Sequence, residues 1–193
     1  MKTQIPAPLA RFAAAAASFF ILSFAAPSAS AEEHTHASPS AAPATVTSAI
    51  AVLIPAADSH VAGTVKFTQE SEGVRVEADI TGLTPGKHGF HVHEKGDLSK
   101  PDLTSAGGHF NPESQPHADR TAGERHVGDL GNLEAGADGH ATASFVDSRI
   151  KLSGPNSIIG RAVIVHAKAD DLKSQPTGES GGRVAGGVVG IVK

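Results

Sequence analysis

The run Val74-Arg75-Val76-Glu77-Ala78-Asp79-Ile80 alternates apolar and charged residues without a break. Successive side chains of a strand point to opposite faces, so this period of two predicts a β-strand with one face buried and one in water. Thr64-Val65-Lys66-Phe67 continues the theme on the strand before it, and Ser71-Glu72-Gly73 supplies a hairpin turn between them. Downstream, Ala141, Ala143 and Phe145 alternate again, while Ala162 to Val165 and Val188 to Val192 read as continuous apolar strands. No stretch carries a long helical period. Many short strands with glycine-rich turns predict an all-β sandwich or barrel.

Two segments interrupt the strands. Glu94 to Val127 and Lys168 to Gly182 are polar, rich in Gly, Pro and Ser, and too long for simple turns. Loops of that length inside a compact domain are usually functional. Ahead of the strands, residues 1–31 read as an export signal. Lys2 and Arg11 give a positive start, Phe12 to Ala26 is uncharged and apolar, and Ala29-Ser30-Ala31 is a small-x-small cleavage site. The apolar run is shorter than the roughly 20 residues of a membrane-spanning helix. Residues 32–48, rich in Ala, Ser, Pro and Thr, read as a flexible tail that holds His34 and His36, two candidates for metal recruitment. Residues 49–193 form the expected domain. The chain is thus expected to be exported, to a periplasm or outside the cell, with no membrane contact once the signal is removed.

Composition narrows the chemistry. A chain of 193 residues fits one domain with a tail. It has no cysteine, which excludes disulfides, thiolate metal sites, a cysteine nucleophile and a cysteine-linked lipid. The formal net charge is −4, and losing Lys2 and Arg11 with the signal makes it −6, so no nucleic-acid partner is expected. The only methionine is Met1, leaving a sulfur-free mature chain that suits exposure to oxidants. Histidine is the unusual component, at 11 residues. His91 and His93 lie two apart on a strand and so share a face. His109, His117 and His126 follow across the first long segment, Asp129 lies three beyond His126, and His166 ends an apolar strand. Six histidines and an aspartate without sulfur suit a borderline divalent ion such as Cu(II) or Zn(II), and three histidines with one aspartate suit tetrahedral zinc. His60, His88 and His140 read as surface residues outside this set.

Several long motifs occur in one order: Gly89-Phe90-His91-Val92-His93-Glu94, Gly108-His109-Phe110-Asn111-Pro112, Arg125-His126-Val127-Gly128-Asp129-Leu130-Gly131-Asn132 and Ile159-Gly160-Arg161-Ala162-Val163-Ile164-Val165-His166. With the ending Gly187-Val188-Val189-Gly190-Ile191, they resemble the copper/zinc superoxide dismutases from about Ala49 to Lys193. The resemblance implies a Greek-key β-sandwich, or flattened barrel, of about eight antiparallel strands. It implies copper on His91, His93, His109 and His166, and zinc on His109, His117, His126 and Asp129, with His109 bridging the two. Asp170 then matches the carboxylate linking a copper histidine to a zinc histidine. Arg183 matches the arginine that guides superoxide to copper, and His109 and Arg183 become the catalytic pair. The implied reaction converts superoxide to dioxygen and hydrogen peroxide. The competing reading is an exported copper/zinc-binding module without turnover, against which Arg183 counts because storage needs no anion guide.

The chain departs from the resemblance in two places. Leu103 and Gly186 stand where the family usually has a disulfide, so the loop with His109 and His117 must be anchored otherwise, with Leu103 expected to pack in its place. The segment between Asp170 and Arg183 is short and keeps Lys173 and Glu179. The ending resembles the segment some members use to pair, which leaves a homodimer open.

Overall fold

The computed structural model describes residues 45–193. The expected signal and residues 32–44 of the expected tail, His34 and His36 included, lie outside the described residues. Nine strands form: β1 (Ser48–Pro55), β2 (Ala62–Gln69), β3 (Val74–Thr81), β4 (Gly86–Val92), β5 (Asp129–Ala135), β6 (Ala141–Asp147), β7 (Ala162–His166), β8 (Arg183–Val188) and β9 (Gly190–Ile191). A single 3-10 turn, Thr104–Ala106, is the one helical element among the described residues.

The alternating run becomes β3. Val74, Val76 and Ile80 are wholly buried, Ala78 nearly so, and Glu77 and Asp79 face water. Strand β3 pairs with β2 from Gln69↔Val74 to Ala62↔Thr81, closed by the turn in which Glu70 N–H donates to Gly73 O at 2.8 Å. The strands follow the order β5-β4-β7-β8-β1-β2-β3-β6, with β9 off the path on β1. All pairings between named strands are antiparallel. The two ends of the path, β5 and β6, are consecutive in the chain and joined by the tight turn Gly136 to His140, so the sheet nearly closes into a barrel. The connections β3 to β4 and β6 to β7 cross between non-neighbouring strands, which is the Greek-key pattern.

Strand parity separates core from site. On β4, Phe90 and Val92 enter the barrel core, so His91 between them points out of the barrel, as does His93 just past the strand. On β7, Val163 and Val165 enter the core, while Ala162, Ile164 and His166 face outward. That outer face is not wet. Leu103 and Ala106 of the 93–128 connection pack on Ala162 and Ile164, forming a second apolar cluster. This double coverage explains why Ala162 to Val165 is apolar throughout rather than alternating.

The last strand differs from expectation. Pairing starts at Arg183, stops at Val189 and resumes as β9. Gly186 and Gly187 hid this, because glycine is depleted from strands. A Cβ on Gly187 would collide with Val52 O, so bareness is required there, while one on Gly186 would stand 2.7 Å from Ile164 Cδ1 and 3.1 Å from Leu103 Cδ1, the movable tips of two side chains.

Leu103 therefore fills the space beside Gly186 and is almost fully buried. The double variant Leu103→Cys/Gly186→Cys should close a disulfide in air. Chain entropy allows about 4 kcal/mol for so long a loop, and engineered bridges deliver less. We expect the oxidised double variant to melt about 5 °C above its own reduced form. Thiols that stay titratable after oxidation would contradict the neighbour relation.

Candidate metal centre

Seven side chains converge beneath the 93–128 and 167–182 connections. Two groups of four have donor atoms within 4.8 Å of one another: His91, His93, His109 and His166, and His109, His117, His126 and Asp129. All are buried, and His109 belongs to both groups.

Hydrogen bonding assigns the free nitrogen of each ring. His93 Nδ1 faces Gly107 O at 2.9 Å and His166 Nδ1 faces Gly181 O at 3.2 Å. A carbonyl only accepts, so each Nδ1 must carry the proton and each Nε2 keeps its lone pair. Those two Nε2 atoms face each other at 3.3 Å. Two lone pairs cannot bond one another, and a cation between them resolves the conflict. His91 Nε2 donates to Asp170 Oδ2 at 2.7 Å, which leaves Nδ1 buried without a partner. His109 Nε2 is likewise buried and unpartnered. The first group thus presents four imidazole lone pairs to one spot, a donor set suited to copper.

The second group closes around Asp129 Oδ1. His109 Nδ1 lies 2.9 Å from it, His117 Nδ1 3.0 Å and His126 Nδ1 3.2 Å. Four donors about 2.0–2.1 Å from a tetrahedral ion stand roughly 3.3–3.4 Å apart, so the set is nearly at zinc spacing. Asp129 Oδ2 is turned away, accepting from the backbone N–H of Ala118 and of His126, each at 3.1 Å.

Electrostatics agree. Burial pushes His93 well below its ordinary value, His109 down to about 4 and His166 to about 3, so these rings are neutral at pH 7, the state in which imidazole can bind a metal. Burial also pulls His117 down, but the carboxylates of Asp129 and Asp170 outweigh it and raise the ring to about 9. Burial would raise both carboxylates. Hydrogen bonds from His109, His117 and His126 instead hold Asp129 far below the carboxylate range, and bonds from His117 and His91 do so for Asp170. Positive charge is stabilised at this spot, whether proton or metal ion.

The model for copper/zinc superoxide dismutase (SODC) matches residues 61–189. The chain belongs to this family. It is 51% identical over 156 residues to a Cu-Zn superoxide dismutase of Onchocerca volvulus, covering 75% of this chain and 96% of that one. It is 49% identical over 152 residues to an extracellular Cu-Zn superoxide dismutase of Brugia pahangi, covering 74% and 75%. The crystal structure of the clock protein EA4 superposes with a TM-score of 0.71 at 49% identity, covering 77% of this chain and 96% of that one.

Around the histidines of this copper/zinc superoxide dismutase-family chain, further residues hold the centre in shape. Asp170 joins the two groups, bonding His91 through Oδ2 and His117 through Oδ1, the latter at 2.9 Å. A Cβ at Gly178 would collide with that Asp170 oxygen and stand 2.6 Å from His117 Nε2, so only glycine leaves room for the bridge. Asn132 grips the backbone of Asp170 in both directions, at 2.8 and 2.9 Å. Arg183, half-buried at the start of β8, donates to Leu103 O and Gly107 O, the latter shared with His93. The anchor carbonyls of Arg183 thus sit in the loop that carries His109.

Two readings of the sequence need revision. His88 is not a surface residue but is 3% exposed. It shares strand parity with Phe90 and Val92, and its nitrogens meet His166 O at 2.8 Å and Thr84 O at 2.9 Å. Counting by twos from Phe90 would have found it. Arg125 stood inside a quoted motif without a role. Its side chain is buried, bonded to Asp147 at 2.6 Å and to the carbonyls of His126, Val127 and Asp129 at 2.9–3.2 Å. His60 and His140 are exposed, as read.

Proposed function

We propose that the chain is an exported superoxide dismutase, turning two superoxide anions and two protons into dioxygen and hydrogen peroxide. The observation that carries the reading is the pair of four-residue donor groups sharing His109, with the Arg183 guanidinium anchored on carbonyls beside them. We assign His91, His93, His109 and His166 to copper and His109, His117, His126 and Asp129 to zinc. When bound, copper would supply one-electron chemistry between two oxidation states and zinc would hold geometry. Arg183 is permanently charged and draws the anionic substrate toward the rings of His93 and His166. His109 Nε2, a buried lone pair without a protein partner while Nδ1 is engaged by Asp129, is the atom that can take up a proton when it holds no ion. Asp170 keeps the His91 and His117 rings turned so that each Nδ1 faces its ion.

Steering is testable apart from metal binding. Arg183→Ala should lower the second-order rate of superoxide decay at least tenfold with copper and zinc content intact. The wild-type rate should fall as salt rises, because screening shortens the reach of the positive spot on a chain of net negative charge. A flat salt profile with an unchanged variant rate would contradict the role.

Export rests on the signal-like residues 1–31 and on a relative named as extracellular. N-terminal sequencing of the exported protein should begin at Glu32, whereas a start at Met1 would overturn it.

A further inference from the structure

Away from the histidines, a hollow of about 410 Å³ opens between two walls. One wall is the stretch Arg120 to Gly123, in the same connection as His117 and His126. The other is the end of β6 and its continuation to Arg149. Three guanidiniums line it: Arg120, Arg125 and Arg149.

Their counter-charges are unequal. Arg125, 1% exposed, pairs with Asp147 at 2.6 Å, and its Nε–H is buried without a partner. Arg149 pairs with Glu113 at 2.7 Å and donates to Gly123 O. Arg120 has no ion pair or hydrogen bond among the described residues, and its guanidinium lies over the Phe145 ring at 4.4 Å. The nearby Asp119 carboxylate is turned to its own turn, accepting from Thr121 N–H and Oγ–H. Of the three arginines Arg120 alone has no ion pair, with the charge of Asp119 near both it and Arg125. The exposed Ser148 adds a hydroxyl on the wall opposite Arg120.

We propose that this hollow binds a small oxyanion of the phosphate class, and that its occupancy clamps the loop carrying His117 and His126 to the barrel. Guanidinium forks match the oxygens of such an anion and form charge-assisted hydrogen bonds. An anion held by Arg120 and Arg149 would link the two walls. It joins a loop held to β6 largely through Arg125 and Arg149. Arg183 lies on β8 and lines none of this hollow, so the site is separate from the one assigned to superoxide.

The test uses the full metal-loaded protein, with inorganic phosphate as the probe and chloride at matched ionic strength as the reference. The background is Arg183→Ala, which removes the other anion-guiding guanidinium. In that background phosphate should bind by calorimetry, raise the melting temperature and slow zinc release to a chelator. Adding Arg120→Ala and Arg149→Ala should weaken phosphate binding at least tenfold and cancel the other two effects. The double variant Arg120→Ala/Arg149→Ala, with Arg183 intact, should keep the phosphate-free melting temperature within a few degrees, which shows that it folds. No phosphate response in the Arg183→Ala protein, or an equal response after the two further changes, would overturn the proposal. Because every readout is binding, melting or metal release, a chain without turnover would leave the proposal standing.

Discussion

His166→Ala should strip copper from the protein while zinc stays near one per chain, and superoxide decay should fall by more than about 100-fold. Loss of a residue that merely orients a ligand costs about 10–100-fold, and His166 is assigned as a ligand itself. The selectivity follows from the two groups: His166 Nε2 faces His93 Nε2, and no atom of His166 enters the group around Asp129. Asp129→Ala should act the other way. It removes the oxygen on which three Nδ1 atoms converge, together with the acceptor for Ala118 N–H and His126 N–H. Zinc should be lost first and the loop loosened. Metal analysis of the two variants checks both. Equal loss of both metals in each would mean that the ligands are divided wrongly.

Arg125→Met should cost about 3–5 kcal/mol of stability, the range for leaving one partner of a buried ion pair uncompensated. It also orphans the carbonyls of His126, Val127 and Asp129, all in the strip that carries two members of the second group. A fall in melting temperature of about 10 °C is expected, with faster zinc release. Asp147 accepts from the backbone N–H of Arg149 and Ile150 through Oδ1. Asparagine at 147 keeps that acceptor and removes the stranded charge, so Arg125→Met/Asp147→Asn should recover more than half of the loss. A double variant no better than the single one would show that the carbonyl contacts, not the ion pair, dominate.

Much of this was legible because strand periodicity is local. The alternation from Val74 to Ile80 needs no knowledge of the rest of the chain, and β3 forms where it predicts. The convergence of the seven side chains was legible for a different reason: their spacing sits inside motifs long enough to mark a family, and the two donor groups bring the same residues together. What escaped was decided by packing between distant segments. The expected last strand began only at Val188, yet β8 runs from Arg183 through Gly186 and Gly187, the latter bare against Val52 O. His88 read as surface because it lies outside the metal set, yet in the interior its Nδ1–H donates to the His166 carbonyl and the Thr84 hydroxyl lies 3.3 Å from its Nε2. Arg125 has the same character: burial of a loop guanidinium depends on Asp147, which lies far along the chain at the end of β6.

The measurement closest to the central claim is metal content beside superoxide decay on the protein loaded with equimolar copper and zinc. One copper and one zinc per chain are expected, with a second-order rate that rises in proportion to copper bound. A protein that takes up both metals in that ratio and leaves the decay of superoxide at its uncatalysed rate would contradict it.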